Sequence, residues 1–247
     1  MPKENIIIVG DIHGKWGEIN FLINKKSPRI VLQCGDFGFF PKFHNTRGID
    51  SEEFEMYEHT KIRKPWNQYG IKNPNTVVYF APGNHEDWNS LDELEVNKNF
   101  ELMPNVFYQP FGSTITLPDG RTVLFCGGAR SIDRDWRTSG VDWFEQEEIS
   151  YRDMDRLPNI AVDIVISHTC PEEIMLQMST KGIYYDQTNP LHKDSSRQAL
   201  SYIMEKYKPD LWYFGHFHRE IKGMWKNTRW YALSMPEGHG RWWRYLK

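Results

Sequence analysis

The 247-residue sequence has little cysteine, no long apolar run and no marked excess of either charge. Its three cysteines, Cys34, Cys126 and Cys170, form no C-x-x-C pair; so odd and sparse a set excludes a disulfide framework or a thiolate zinc site. Each sits at or just after an apolar run, so all three are expected as small buried residues. No stretch approaches the roughly 20 apolar residues that a membrane span needs. The first apolar run, Ile6–Val9, is too short for a signal peptide, and a cytoplasmic, reduced setting is expected. With 30 basic against 33 acidic side chains the formal net charge is −3, which offers no global field to nucleic acid. The local basic stretch Arg241, Arg244 and Lys247, among Trp242, Trp243 and Tyr245, reads as an edge strand with alternating exposed charges. Repeats, low-complexity tracts and linkers are also lacking, so one domain is expected over residues 1–247.

Hydrophobic residues make up 39% of the chain and charged residues 26%, a balance that fits a soluble globular protein with a sizeable core. Short apolar, β-branched runs closed by glycine or a polar turn predict buried strands over 6–9, 29–33, 76–80, 122–126, 161–167 and 210–214. Apolar residues at helical spacing predict helices over 15–24 (Trp16, Ile19, Phe21, Leu22, Ile23) and 196–207 (Leu200, Ile203, Met204, Tyr207). Strands alternating with helices predict an α/β fold on a mixed or largely parallel sheet. The tail differs: runs over 220–225, 230–235 and 241–246 read as successive strands of a second, antiparallel sheet. Residues 39–69, helical and acidic through 51–59, read as an excursion between two strands. Residues 182–193 read as a loop carrying Tyr184, Tyr185 and His192.

Polar residues of particular types fall where these runs end. The first is followed by Gly10-Asp11-Ile12-His13-Gly14, the second by Gly35-Asp36, the third by Gly83-Asn84-His85-Glu86. Two later runs end in His168 and in Gly215-His216-Phe217-His218. In an α/β sheet the C-terminal strand ends share one edge, where ligands bind, so residues distant in sequence can converge there. Asp11 and Asp36 supply hard anionic oxygens, Asn84 a carbonyl oxygen, and His13, His168, His216 and His218 neutral imidazoles. Four imidazoles favour Mn, Fe, Zn, Co or Ni over Mg or Ca, and no thiolate competes. Seven ligands are too many for one tetrahedral ion and enough for two that share a carboxylate. Each motif is weak alone; the five in order are specific.

Together, Asp11-x-His13, Gly35-Asp36, Gly83-Asn84-His85-Glu86, His168 and Gly215-His216-x-His218 resemble the calcineurin-like metallophosphoesterase family, over residues 6 to about 220. The resemblance implies a four-layer α/β sandwich, with two facing mixed β-sheets flanked by helices. It implies a hydrolase of phosphomonoesters or phosphodiesters with two divalent metal ions, Mn2+ foremost. Asp11, His13 and His218 would hold one ion, Asn84, His168 and His216 the other, and Asp36 would bridge. Two such ions stand about 3.5–4 Å apart and lower the pKa of a shared water. His85 would be the general acid, a role worth typically ~10²–10⁴-fold.

The second motif departs from the family's protein phosphatases. Gly35-Asp36 continues as Phe37-Gly38-Phe39-Phe40-Pro41, so the acidic residue that would orient the general acid and the phosphate-gripping arginine are both missing. This speaks against a protein phosphatase. Arg130, Arg134 and Arg137 are candidate substitutes, with surface ion pairs as their competing role. Tyr184, Tyr185 and Trp136 are candidate stacking faces for a base, with packing as theirs. The expected substrate is a small phosphoester or nucleotide. A nuclease with the same metal pair is the alternative, disfavoured by the net acidity. A non-catalytic module would have lost ligands, and none is lost. His44, His59, His192 and His239 lack motif context and are expected to be ordinary residues.

Overall fold

Every residue of β1 (Ile6–Val9) is buried, as a parallel strand covered on both faces requires. The computed structural model describes residues 5–41, 73, 75–176, 178–180, 183–185 and 194–247. Strand β1 pairs in parallel with β2 (Ile30–Gln33), β2 with β3 (Val77–Phe80), and β3 with β5 (Val106–Tyr108). Antiparallel β14 (Trp243–Tyr245) and β4 (Glu101–Met103) close the two edges, giving the order β14-β1-β2-β3-β5-β4. The second six-stranded sheet runs β12 (Ile221–Trp225), β13 (Thr228–Ala232), β11 (Leu211–Phe214), β8 (Ile164–Ser167), β7 (Thr122–Cys126) and β6 (Thr114–Thr116). Its inner four strands are parallel and its outer two antiparallel. Strands β9 (Met178–Thr180) and β10 (Ile183–Tyr185) make a separate antiparallel ribbon.

Side-chain alternation along the strands sorts the core into layers. Ile6, Ile8, Leu32, Val123, Phe125, Ile164, Ile166, Leu211 and Tyr213 meet between the sheets. The opposite faces carry Ile7, Val9, Val31, Val78 and Phe80 against helices α1 (Trp16–Lys26) and α2 (Trp88–Val96). Likewise Leu124, Val165, Trp212 and Phe214 pack against α4 (Ser195–Tyr207), with α3 (Tyr151–Met154) nearby through Met154. The result is a four-layer α/β sandwich. Leu200, Ile203 and Met204 anchor α4, each side chain worth about 1.5–3 kcal/mol on full burial. The Asp194 carboxylate accepts the Arg197 N–H at the start of α4, and left-handed Lys208 ends it.

Several sequence expectations are corrected. The tail does not build a second antiparallel sheet of its own. Strand β13 joins β11 in parallel while β14 crosses to the first sheet, because the apolar residues of the tail cover two different sheets. As the outermost strand there, β14 is an edge strand as expected. Phe21 is 64% exposed rather than on the buried stripe of α1, whereas Trp16, Ile19, Leu22 and Ile23 are buried. Within 182–193, Ile183–Tyr185 is strand, not loop. Residues 42–72, and with them most of the 39–69 excursion, lie outside the described residues. All three cysteines are buried and free. Among the described residues no helix is long and apolar enough to cross a membrane.

Candidate metal centre

Strands β1, β2 and β3 of one sheet and β8 and β11 of the other end at a common edge, and the loops that follow them form the site. Four site residues there have left-handed backbone: His13 (φ 42°), Asp36 (φ 53°), His216 (φ 65°) and His218 (φ 51°). Such conformations cost about 1–3 kcal/mol each outside glycine and persist only where surrounding bonds over-determine them. Those bonds are present. The Asp36 carbonyl accepts the N–H groups of Ile12 (3.1 Å) and His13 (2.8 Å), tying the first loop to the second. The buried Glu86 carboxylate accepts N–H groups from Phe37 and Gly38 on the second loop and from Gly83 on the third. Gly35 (φ 98°) leaves room for His168, whose Nδ1 would stand 2.3 Å from any added Cβ.

The seven residues proposed from the sequence converge. One group comprises Asp11, His13, Asp36 and His218, whose ligand atoms all lie within 4.8 Å of one another. His218 Nε2 is 3.1 Å from Asp11 Oδ2, and His13 Nε2 is 3.5 Å from Asp36 Oδ2. A second group adjoins it through the other Asp36 oxygen. His168 Nε2 is 3.2 Å from Asp36 Oδ1, 3.0 Å from Asn84 Oδ1 and 3.2 Å from His216 Nδ1. Asp11, Asp36, Asn84, His168 and His216 are buried, while His13, His85 and His218 are half-buried at the mouth.

Charge in this pocket is tightly balanced. Burial alone would lower the His168 pKa, but the Asp36 and Asp11 carboxylates outweigh it and push it up to about 9. The Cys34 carbonyl, 2.9 Å from His168 Nδ1, fixes that nitrogen as the donor and turns Nε2 toward Asp36 and Asn84. Burial lowers His13 and lowers His216 well below the ordinary histidine value. Asp36 is held well below the carboxylate range: burial opposes this, and His168, His85 and His13 overcome it. Two buried carboxylates, an amide carbonyl and four imidazoles form a hard-to-borderline donor set that suits divalent transition ions.

His85 donates its backbone N–H to Asp36 Oδ1 (2.9 Å), and its ring meets an unexpected neighbour. The Arg137 guanidinium donates to His85 Nε2 (2.9 Å) and to the Asn84 carbonyl (3.3 Å), and pairs with Asp133 at 2.8 Å. Burial first, and then Arg137, hold the His85 pKa well below its ordinary value, with Asp36 opposing. Arg137 is thus in the site. Arg134 turns away toward Glu148 (3.5 Å), and the Arg130 charge is felt by Asp194. The Tyr184 and Tyr185 side chains lie outside the described part, as do His44, His59 and His192. Trp136 is 69% exposed beside Arg137. Sequence reasoning missed Ser131, Asp133 and Glu147. The first two lie in the stretch already singled out for its arginines; Glu147 carried no signal.

The calcineurin-like phosphoesterase profile matches residues 4–220. The chain therefore belongs to the calcineurin-like phosphoesterase family and is by class a phosphoric ester hydrolase. No curated protein matches the sequence significantly. Among solved structures it is similar to the phosphopantetheinyl hydrolase of Mycobacterium tuberculosis, at 13% identity over 98% of this chain and 95% of that one (TM-score 0.48). It is also similar to the TT1561 protein of Thermus thermophilus, at 11% identity over 94% and 89% (TM-score 0.46). A third similarity is to a putative 5'-nucleotidase of Staphylococcus aureus, at 14% identity over 93% of this chain and 48% of that one (TM-score 0.48).

Proposed function

We propose that this chain hydrolyses a small phosphoester, nucleotides included, at a centre of two divalent metal ions, with manganese the first candidate. One observation carries this reading: the two oxygens of Asp36 face separate histidine groups, His13 on one side and His168 on the other. Asp11, His13 and His218 would hold one ion, Asn84, His168 and His216 the other, and Asp36 both. When bound, the pair supplies positive charge that draws in a phosphate and offsets charge on its oxygens, and it acidifies water for attack.

The chain's own residues position the substrate and move the proton. Arg137 stands in for the phosphate-gripping arginine missing from the second motif: Asp133 holds its guanidinium beside the site, and the Nη2 that meets His85 turns to a phosphoryl oxygen. His85 is the proton donor to the leaving group. Before substrate arrives it is neutral, because Arg137 donates to Nε2. An arriving phosphate draws Arg137 away and places negative charge beside the ring, and both changes raise the His85 pKa. A nuclease would need a continuous basic track; Arg134 and Arg137 are paired with acids and the chain is net acidic, which favours a small substrate.

The test is hydrolysis of p-nitrophenyl phosphate and of its bis ester by chelator-stripped protein reconstituted with Mn2+. Turnover of at least one is expected, lost in chelator, restored by Mn2+ and nearly absent in Asp36→Asn. An Asp36→Asn protein that turns over both esters like wild type would overturn the reading.

A further inference from the structure

The segment 131–147 grips the Asn84-His85 dipeptide from two sides. Arg137 takes the Asn84 carbonyl and the His85 ring. On the other side the Asn84 side-chain amide donates from Nδ2 to Ser131 Oγ at 3.0 Å. Ser131 is 1% exposed, and its backbone N–H donates to Glu147 Oε1 (2.8 Å), whose carboxyl is fully buried. Glu147 thus fixes the Ser131 backbone, and with it the hydroxyl oxygen that accepts from Asn84. Of the two ends of the Asn84 amide, the NH₂ end is the one that donates there. The carbonyl end, Oδ1, is thereby turned the other way, toward His168 Nε2 and the second histidine group.

We infer that Ser131 and Glu147 are positioning residues that set which end of the Asn84 amide faces the second metal position, and thereby the affinity of that position alone. The inference rests on the two-metal reading above. An amide without such an orienting partner can present NH₂, which carries no lone pair for a cation, in place of oxygen. The first position draws on Asp11, His13, Asp36 and His218 and has no contact with Ser131 in the hydrogen-bond network described, so it is left intact. Partners behind a ligand typically change metal affinity by ~10–100-fold when removed.

The test is calorimetric titration of the chelator-stripped full chain with Mn2+, read beside the electron paramagnetic resonance of coupled manganese pairs. Wild type is expected to take two ions and show the coupled signal. Ser131→Ala should bind one ion at the wild-type affinity and the second ~10–100-fold more weakly, losing the coupled signal at equal manganese. Glu147→Gln keeps an acceptor for Ser131 and should stay near wild type, whereas Glu147→Ala should follow Ser131→Ala. Ser131→Cys, close in size but a poor acceptor, serves where the alanine variant fails to fold, and should also weaken the second ion. Wild-type affinity for both ions in Ser131→Ala or Ser131→Cys overturns the inference and leaves the two-metal reading standing. A wild type that takes fewer than two ions sinks both.

Discussion

Gly215→Ala should abolish binding at the first metal position through a single contact. A Cβ built on Gly215 would stand 1.8 Å from Asp11 Oδ1, 3.0 Å from Asp11 Cγ and 3.5 Å from the Cys34 carbonyl oxygen. Its φ is not left-handed, so alanine meets no backbone objection and the effect is purely one of space. Relief requires the Asp11 carboxylate to retreat by more than an ångström. That carboxylate is fully buried, accepts the His216 N–H on both oxygens at 3.0 Å and faces His218 Nε2. It cannot move without breaking those contacts. Overpacking of this kind costs typically about 1–3 kcal/mol of stability. Metal sites tolerate roughly ±0.2 Å in ligand distance, so the displacement is several times what coordination allows. Thermal melts with and without Mn2+ separate the two effects. Each filled position should add about 2.7 kcal/mol of stability at 100 times its dissociation constant, and Gly215→Ala should lose the share of the first position. Gly17→Ala is the control: Gly17 lies inside α1 with nothing within 4 Å of an added Cβ, and the change should stabilise by roughly 0.5–1 kcal/mol. A Gly215→Ala protein that keeps the full manganese shift would show that Asp11 is no ligand.

Four more outcomes are expected. In the metal-free protein His168 titrates at about 9 against an ordinary 6.5. A raised folded value stabilises fully below about 6.5 and is lost as pH climbs through 9; Glu86 and Glu147, pushed up to about 8 by burial, add the same sign from lower pH. Chelator-treated protein should therefore melt progressively lower from pH 6.5 to 9. Manganese must expel the His168 proton, so its affinity should rise by up to about tenfold per unit over that window; an affinity independent of pH would contradict the assignment. His85→Asn should lower kcat by ~10²–10⁴-fold with slow-leaving alkyl esters and far less with p-nitrophenyl esters, whose leaving group needs no proton; equal losses on both would remove the acid role. The thiols of Cys34, Cys126 and Cys170 are fully buried, and burial pushes all three pKa values up, Cys170 to about 12. Native protein should resist a disulfide thiol reagent and yield three thiols on unfolding; rapid native labelling would contradict the described core.

Much of the site was legible because its grammar is local. A short apolar run, a glycine and then Asp, His or Asn encodes a strand, its exit and a ligand within a few residues. The parallel strand rule then sends all such exits to one edge. Chemistry finished the reading, since two carboxylates, an amide and four imidazoles without a thiolate define a class of cation. Helix α2 escaped for the converse reason. It buries only Trp88, Ser90 and Leu91, too little apolar surface to show a period, and begins where the Asp87 carboxylate accepts the Ser90 N–H.

Tertiary structure alone decided what lies across space. Strand β13 resembles β14 in pattern, yet they belong to different sheets, because strand partners are chosen by packing against neighbours far away in sequence. Arg137 reaches His85 from 52 residues away. Ser131 reaches Asn84 across 47 residues, with Glu147 behind it. Ligand identity is written in the chain one motif at a time. Which guanidinium, hydroxyl and carboxylate stand behind those ligands depends on how the two sheets face each other and how the 127–149 segment lies over their edge.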